Sequence, residues 1–255
     1  MIKHPYTCTM LIVGLGILLS LVNGCAPKNL VSQSQEIEIG KQASAQIEKQ
    51  YKLVNDPDLN NIINQMGRTI AQYSARPDLK YTFKILDAKD ANAVSLPGGW
   101  IYVFKGLIDE TKGKPDQLAG VIAHEIGHIA ARHHADMIGR ETYSNLLIGI
   151  LTKDETSRIA GIFANITLLR WSRKHEYDAD NLGIKYMYES KQYDPQGLIN
   201  FFNYLLSKEK DKPSQFEKIF QTHPVTGERI TRAQKFYDNL RAGVPSGTAS
   251  NGSGD

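Results

Sequence analysis

An α+β fold follows from three observations. Apolar residues recur at helical spacing through most of residues 36–240, the period switches to two in three short runs between residues 81 and 104, and a Pro-Gly-Gly turn joins two of those runs. The expected product is a mostly helical domain with a small antiparallel sheet beside the helix that carries His124-Glu125-Ile126-Gly127-His128. The 255 residues suffice for one domain with a proper core. A formal charge of +3, without a basic run or aromatic-spaced basic patch, argues against a nucleic-acid partner.

The first residues read as an address rather than as fold. Lys3 and His4 precede an apolar run from Met10 to Val22, too short to span a bilayer comfortably. It ends in Leu21-Val22-Asn23-Gly24-Cys25, which resembles the bacterial lipobox, where the signal is removed and the Cys acylated. Cys8 and Cys25 are the only cysteines, and Cys8 would leave with the signal. No intrachain disulfide then remains possible, and lipidation gives Cys25 a role. Residues 1–24 are thus expected to be a lipoprotein signal, 25–35 a polar tether, 36–242 the folded domain and 243–255 a disordered Gly/Ser/Thr/Asn tail. Ala26 after the Cys resembles the outer-membrane sorting pattern, so the expected location is the periplasmic face of that membrane, held by a lipid at Cys25.

The elements follow in order. Glu36 to Tyr51 reads as an amphipathic helix with Ile37, Ala43 and Ile47 among its apolar positions, and Asp56-Pro57-Asp58 opens a second through Leu59, Ile62, Ile63, Met66 and Ile70. Arg76-Pro77-Asp78 breaks it. Tyr81, Phe83 and Ile85 alternate with Thr82 and Lys84 as a half-buried strand. Residues 92–96 and 100–104 are two more strands around Pro97-Gly98-Gly99. Pro115-Asp116 starts the next helix, with Leu118, Val121, Ile122, Ile126 and Ile129 at helical spacing and Gly139 as its stop. Residues 145–169 read as two short helices around a polar turn at Lys153, Asp154 and Glu155, whose charges rule against a membrane span. Asp194 and Pro195 suit the N-cap and first position of a helix through Leu198, Phe201, Phe202 and Leu205, and a last helix runs near Thr226 to Leu240.

The helix from Pro115 carries the chemistry. His124 and His128, four apart, share one helix face and can point two imidazoles at one zinc ion. Glu125 lies one residue round, where it can take a proton from a water beside the metal. A third ligand is needed, and two readings compete. In one it is His134, as in HExxHxxGxxH, but residue 131 is Ala rather than the Gly that lets such a helix break. On an unbroken helix His134 lies about 80° away from His124. His133 and His134 then read as a solvated helix end. In the other reading the ligand is Glu176, from Trp171-Ser172-Arg173-Lys174-His175-Glu176-Tyr177-Asp178-Ala179-Asp180, with Asp180 one turn on to orient a ligand imidazole and Asp178 pointing elsewhere.

His-Glu-Ile-Gly-His, then Glu-Tyr-Asp-Ala-Asp, then His223-Pro224-Val225-Thr226-Gly227-Glu228-Arg229 resembles the gluzincin metallopeptidase family of the CAAX prenyl endopeptidases and the HtpX-, BepA- and LoiP-type proteases. The likeness spans roughly Glu36 to Leu240. It implies one Zn²⁺ on His124, His128 and Glu176, Glu125 as general base and Asp180 behind a ligand. It also implies a substrate-binding edge strand at Asn92, Ala93, Val94 and Ser95, able to take an extended peptide by backbone bonding. His223 and Arg229 match residues that face the substrate carbonyl, a catalytic oxyanion role. In some relatives the corresponding His instead sits on the open zinc position and keeps the enzyme latent, and both roles stay open. Membrane spans and a helical-repeat extension seen in parts of the family have no counterpart here, so the resemblance is strongest to the short lipoprotein proteases. It implies an endopeptidase acting on unfolded or misassembled outer-membrane proteins. The rival is a non-hydrolytic chaperone or assembly factor for the same clients, disfavoured by an intact general base.

Overall fold

Local signals account for most helix starts in the computed structural model, which describes residues 31–145, 153–165, 170–211 and 214–244. The signal, Cys25, most of the tether and nearly all of the tail lie outside the described residues. Helix α1 (Gln33–Gln50) begins three residues before the expected point, because Ser32 and Gln35 form a capping box. Its buried side is Glu36, Ile39, Gly40, Ala43, Ser44 and Ile47, while Ile37, expected inside, is exposed. Helix α2 (Pro57–Ala71) starts as expected, with the Asp56 side chain accepting from the Leu59 N–H.

Strands β1 (Thr82–Leu86), β2 (Ala93–Leu96) and β3 (Trp100–Phe104) form one sheet in the order β1-β3-β2. The expectation of an antiparallel sheet is half right. β2 pairs antiparallel with β3 through the Pro-Gly-Gly turn, but β1 pairs parallel with β3, Phe83 opposite Ile101. The chain leaving β1 passes over the place that β3 later fills, so β3 becomes the central strand. Alternation says which face a strand residue takes, but not which neighbour the strand takes.

Short helix α3 (Lys105–Glu110) leads to α4 (Pro115–Ala130), the HExxH helix, whose residues from Leu118 onward are all buried. α4 ends well before Gly139. The break is at Arg132, a non-glycine residue at φ +60°, and α5 (His133–Asn145) runs through Gly139. α6 (Lys153–Ala164) incorporates Lys153, Asp154 and Glu155, the expected polar turn, into its first turn. α7 (Arg173–Ser190) carries Glu176 and Asp180. α8 (Gln196–Glu209) starts one residue later than expected: Pro195 is the cap residue, while Asp194 still accepts from the Gln196 N–H. α9 (Glu217–Thr222) and α10 (Gly227–Arg241) complete the fold, with Thr226 capping α10. Among the described residues no helix is long and apolar enough to cross a membrane.

The two faces of the sheet bury different clusters. Phe83, Ile85, Ala93, Ile101 and Val103 pack with α2, α4, α7 and α8. Leu86, Val94, Leu96, Tyr102 and Phe104 pack with α1, α5 and α6. Each fully buried Ile or Phe contributes about 1.5–3 kcal/mol relative to exposure. α4 is therefore held between sheet and helices, and its polar residues are fixed by the packing around them.

Candidate metal centre

Two glycines let the site form. A Cβ on Gly127 of α4 would lie 2.7 Å from the Ala179 carbonyl oxygen, and one on Gly183 of α7 would lie 2.9 Å from the His124 backbone nitrogen. The backbones of α4 and α7 touch because neither position has a side chain. That contact places Glu176 and Asp180 beside the two histidines.

One nitrogen or oxygen from each of His124, His128, Glu176 and His223 lies within 4.8 Å of the others, and all four residues are buried. His124 Nε2 and His128 Nε2 are 3.0 Å apart, and Glu176 Oε1 is 3.3 Å from His128 Nε2 and 3.9 Å from His124 Nε2. Two imidazoles and a carboxylate converging in this way match a catalytic zinc donor set with a position to spare. His223, which follows α9, reaches the same point: its Nδ1 is 3.2 Å from His124 Nε2 and 3.0 Å from Glu176 Oε1, and its Nε2 is 3.4 Å from Glu125 Oε1. His134 does not converge. The helix does break before it, without a glycine, but its Nε2 bonds the Ser95 carbonyl at 3.0 Å.

Behind these donors lies a second set of contacts. Asp180 Oδ1 is 2.8 Å from His124 Nδ1, on the far side of the ring from the donor nitrogen. Arg229 is 2% exposed and donates to Asp180 through Nε at 2.6 Å and Nη2 at 2.7 Å. Its Nη1 meets Glu176 Oε2 and donates to the Pro224 carbonyl. The guanidinium thus faces two site carboxylates. His128 stacks on Trp171 with ring centres 4.2 Å apart, and its Nδ1 lies 3.0 Å from His133 Nδ1.

His133 and His134, expected at a solvated helix end, are 3% and 1% exposed. Burial and neighbouring positive groups push both imidazoles down to about 3, so they are neutral at ordinary pH. From the protein groups alone, burial lowers His128 well below the usual value against the pull of Glu176. Burial alone would raise the Glu176 carboxyl, but Arg229 and His223 hold it well below the usual carboxylate range. His223 is raised, because Glu176 and Glu125 outweigh its burial. Asp178 is half-buried, and burial raises its carboxyl.

The strand beside the site sorts its four candidate residues. The Phe104 N–H bonds the Asn92 carbonyl, so residues 92 and 94 direct their backbone groups to β3, and 93 and 95 direct theirs to the outer edge of β2. No strand pairs with that edge among the described residues. Ala93 lines an apolar pocket with Val121, Leu198, Phe202, Ile219 and Val225, opening beside His124 and Glu125. Ser95 Oγ donates to Glu125 Oε2 at 2.6 Å. Val94 points into the opposite cluster, and the Asn92 side-chain amide is buried without a partner among the described residues. The Ser95 hydroxyl, His133, Trp171 and the carboxylate role of Arg229 carried no readable signal, since each depends on residues distant in sequence or beyond the Arg132 break.

The class that this fold and donor set define is a metallopeptidase. Residues 57–236 match the model of Peptidase family M48, and the chain belongs to that family, which uses zinc. The chain is similar to the beta-barrel assembly-enhancing protease of Escherichia coli (strain K12), 26% identical over 231 residues that cover 86% of this chain and 47% of that protein. It is also similar to the metalloprotease YcaL of that organism, 23% identical over 267 residues (92% of this chain, 98% of YcaL), and to its metalloprotease LoiP, 26% identical over 191 residues (72% and 70%). The chain spans about half the length of the beta-barrel assembly-enhancing proteases it matches. α1 lies outside the matched segment yet packs into the same core.

Proposed function

We propose that this chain is a zinc-dependent endopeptidase of the bacterial envelope. The observation that carries the reading is the convergence of His124, His128 and Glu176 on one point, with Glu125 Oε1 3.4 Å from the ring of His223, which reaches the same point. His124, His128 and Glu176 would hold the metal. When bound, zinc supplies a Lewis acid that acidifies water and polarises a carbonyl. Glu125 takes the proton of the attacking water and passes it to the leaving amine. Ser95 holds one Glu125 oxygen, leaving the other to face the reacting atoms. Asp180 keeps His124 oriented, and Arg229 ties Asp180 and Glu176 together, a positioning role beside the oxyanion role that the resemblance implies. An extended substrate adds to the outer edge of β2 through the Ala93 backbone groups and the Ser95 N–H, the Ser95 carbonyl being held by His134. The apolar pocket beside Ala93 takes an apolar substrate side chain.

A Glu125→Gln protein that binds zinc but cleaves nothing, alongside a wild type inhibited by a chelator, is the expected result. Full cleavage by zinc-loaded Glu125→Gln would remove the mechanism. A wild type that prevents aggregation of unfolded porin but never cuts it would favour the chaperone reading. The His223 ring, inside the donor cluster, supports a second reading in which His223 is a fourth ligand and the enzyme is latent. Higher activity in His223→Ala identifies the cap, and lower activity identifies an oxyanion donor. The names of the relatives and the lipobox-like segment support unfolded or misassembled outer-membrane proteins as clients, with anchoring through Cys25 at the periplasmic face. Cleavage of denatured porin in preference to the folded trimer, and loss of membrane association in Cys25→Ala, test these.

A further inference from the structure

The two histidines of the HExxH helix are supported differently. His124 Nδ1 faces the Asp180 carboxylate at 2.8 Å. Among the described residues His128 Nδ1 faces no carboxylate but the ring of His133, nitrogen to nitrogen at 3.0 Å. Two ring nitrogens at that distance share one proton, so one donates and the other accepts. If His128 gives its Nε2 lone pair to zinc, as proposed above, its proton is on Nδ1. His133 must then accept through Nδ1 and carry its own proton on Nε2.

His133 reaches this place only because the helix breaks. Five residues along an unbroken α-helix put it about 140° round from His128. Arg132, at φ +60°, turns the chain so that the first residue of α5 comes back under the last turns of α4. Arg132 is itself held: its Nε donates to Glu36 Oε1 at 2.6 Å, its Nη2 reaches the Val31 carbonyl, and Glu36 is 1% exposed. A positive φ at a non-glycine residue is strained, and survives only where its surroundings over-determine it. The His133 ring plane is fixed in turn by His175, stacked at 4.4 Å and 21°, and the His128 plane by Trp171.

We infer that His133 is the positioning residue for the metal ligand His128, fixing its ring and its proton, and that α1 acts on the site through the Glu36–Arg132 contact. The inference rests on the zinc reading but can fail without it. A partner of this kind changes metal affinity by about 10–100-fold when removed. The test compares two isosteric substitutions, His133→Leu and His133→Asn. The Asn side-chain oxygen can stand where Nδ1 stands and accept the same proton, whereas Leu cannot. Zinc affinity is read by competition with a chromophoric chelator, with circular dichroism as the check on folding. The expected result is a folded Leu variant that binds zinc 10–100-fold more weakly, with Asn recovering most of the loss. Equal affinity in wild type and Leu, or an Asn variant as weak as Leu, overturns the inference. Should Leu fail to fold, nitrogen-15 spectra of the zinc-loaded wild type decide: His128 protonated on Nδ1 and His133 on Nε2 are required, and the opposite tautomers refute it. Glu36→Gln should weaken zinc binding in the same direction by a smaller factor, and no effect there removes the α1 link. A wild type that binds no zinc refutes the functional reading itself, a result distinct from any of these.

Discussion

Replacing Arg229 by Met should unsettle the whole site without removing any donor atom. The guanidinium is buried, donates to both Asp180 oxygens and pairs its charge with Glu176 Oε2. Met fills similar volume over Phe202, whose ring centre lies 4.5 Å from the guanidinium carbon, so packing loss is small. What remains is a pair of buried carboxylates without their cation. Breaking a buried ion pair by removing one partner costs about 3–5 kcal/mol. At roughly 2–4 °C per kcal/mol for a domain of this size, melting in chelator should fall by about 6–20 °C. Zinc brings positive charge to the same carboxylates, so the loss should be smaller in the loaded protein. Arg229→Lys should recover only part, since an ammonium cannot bond Asp180 bidentately. A shift in acid stability should accompany the loss. The folded Glu176 carboxyl lies below its unfolded value, so its stabilisation is complete above about pH 4.3 and is lost only as pH falls through the lower folded value. Without Arg229 the folded value rises, and acid unfolding of the chelated protein should begin at higher pH. Thermal and acid unfolding followed by far-ultraviolet circular dichroism measure both effects. A Met variant that melts and acid-unfolds like the wild type would show that Arg229 does not hold these carboxylates.

Three more expectations follow from individual contacts. Ser95→Ala frees one Glu125 oxygen and should lower kcat about tenfold, ~1.4 kcal/mol of barrier, with KM little changed; a changed KM with constant kcat would place Ser95 in substrate binding alone. Gly40→Ala puts a Cβ 1.8 Å from the Pro97 carbonyl oxygen, where α1 crosses the β2–β3 turn. Overpacking of this kind costs about 1–3 kcal/mol, and a variant as stable as wild type in urea would contradict the close approach. Asp56→Ala removes only the α2 cap and should cost ~1 kcal/mol while leaving zinc binding untouched, which a titration beside a urea melt can verify.

Some of this was legible in the chain because its causes are local. Helical period alone put His124 and His128 on one face, Asp56 and Thr226 announced their helices, and Pro97-Gly98-Gly99 placed a turn that needs positive φ at both glycines. Glu176 and Asp180 could be paired because one helical turn separates them. The address at Cys25 is also a local pattern and remains an expectation.

The rest waited for tertiary structure. Arg132 breaks the helix where no glycine stands, and the buried Glu36 carboxylate and the Val31 carbonyl, both far back in the chain, hold that conformation. β1 lies parallel to β3 because a later strand takes the central place. His133 and His134 are buried because α5 folds back on the site, and Arg229 serves two carboxylates because α10 packs its first turn against α7. Spacing specifies which side chains share a face. Which distant face they meet is decided by the joint burial of several elements, and no single stretch of sequence contains it.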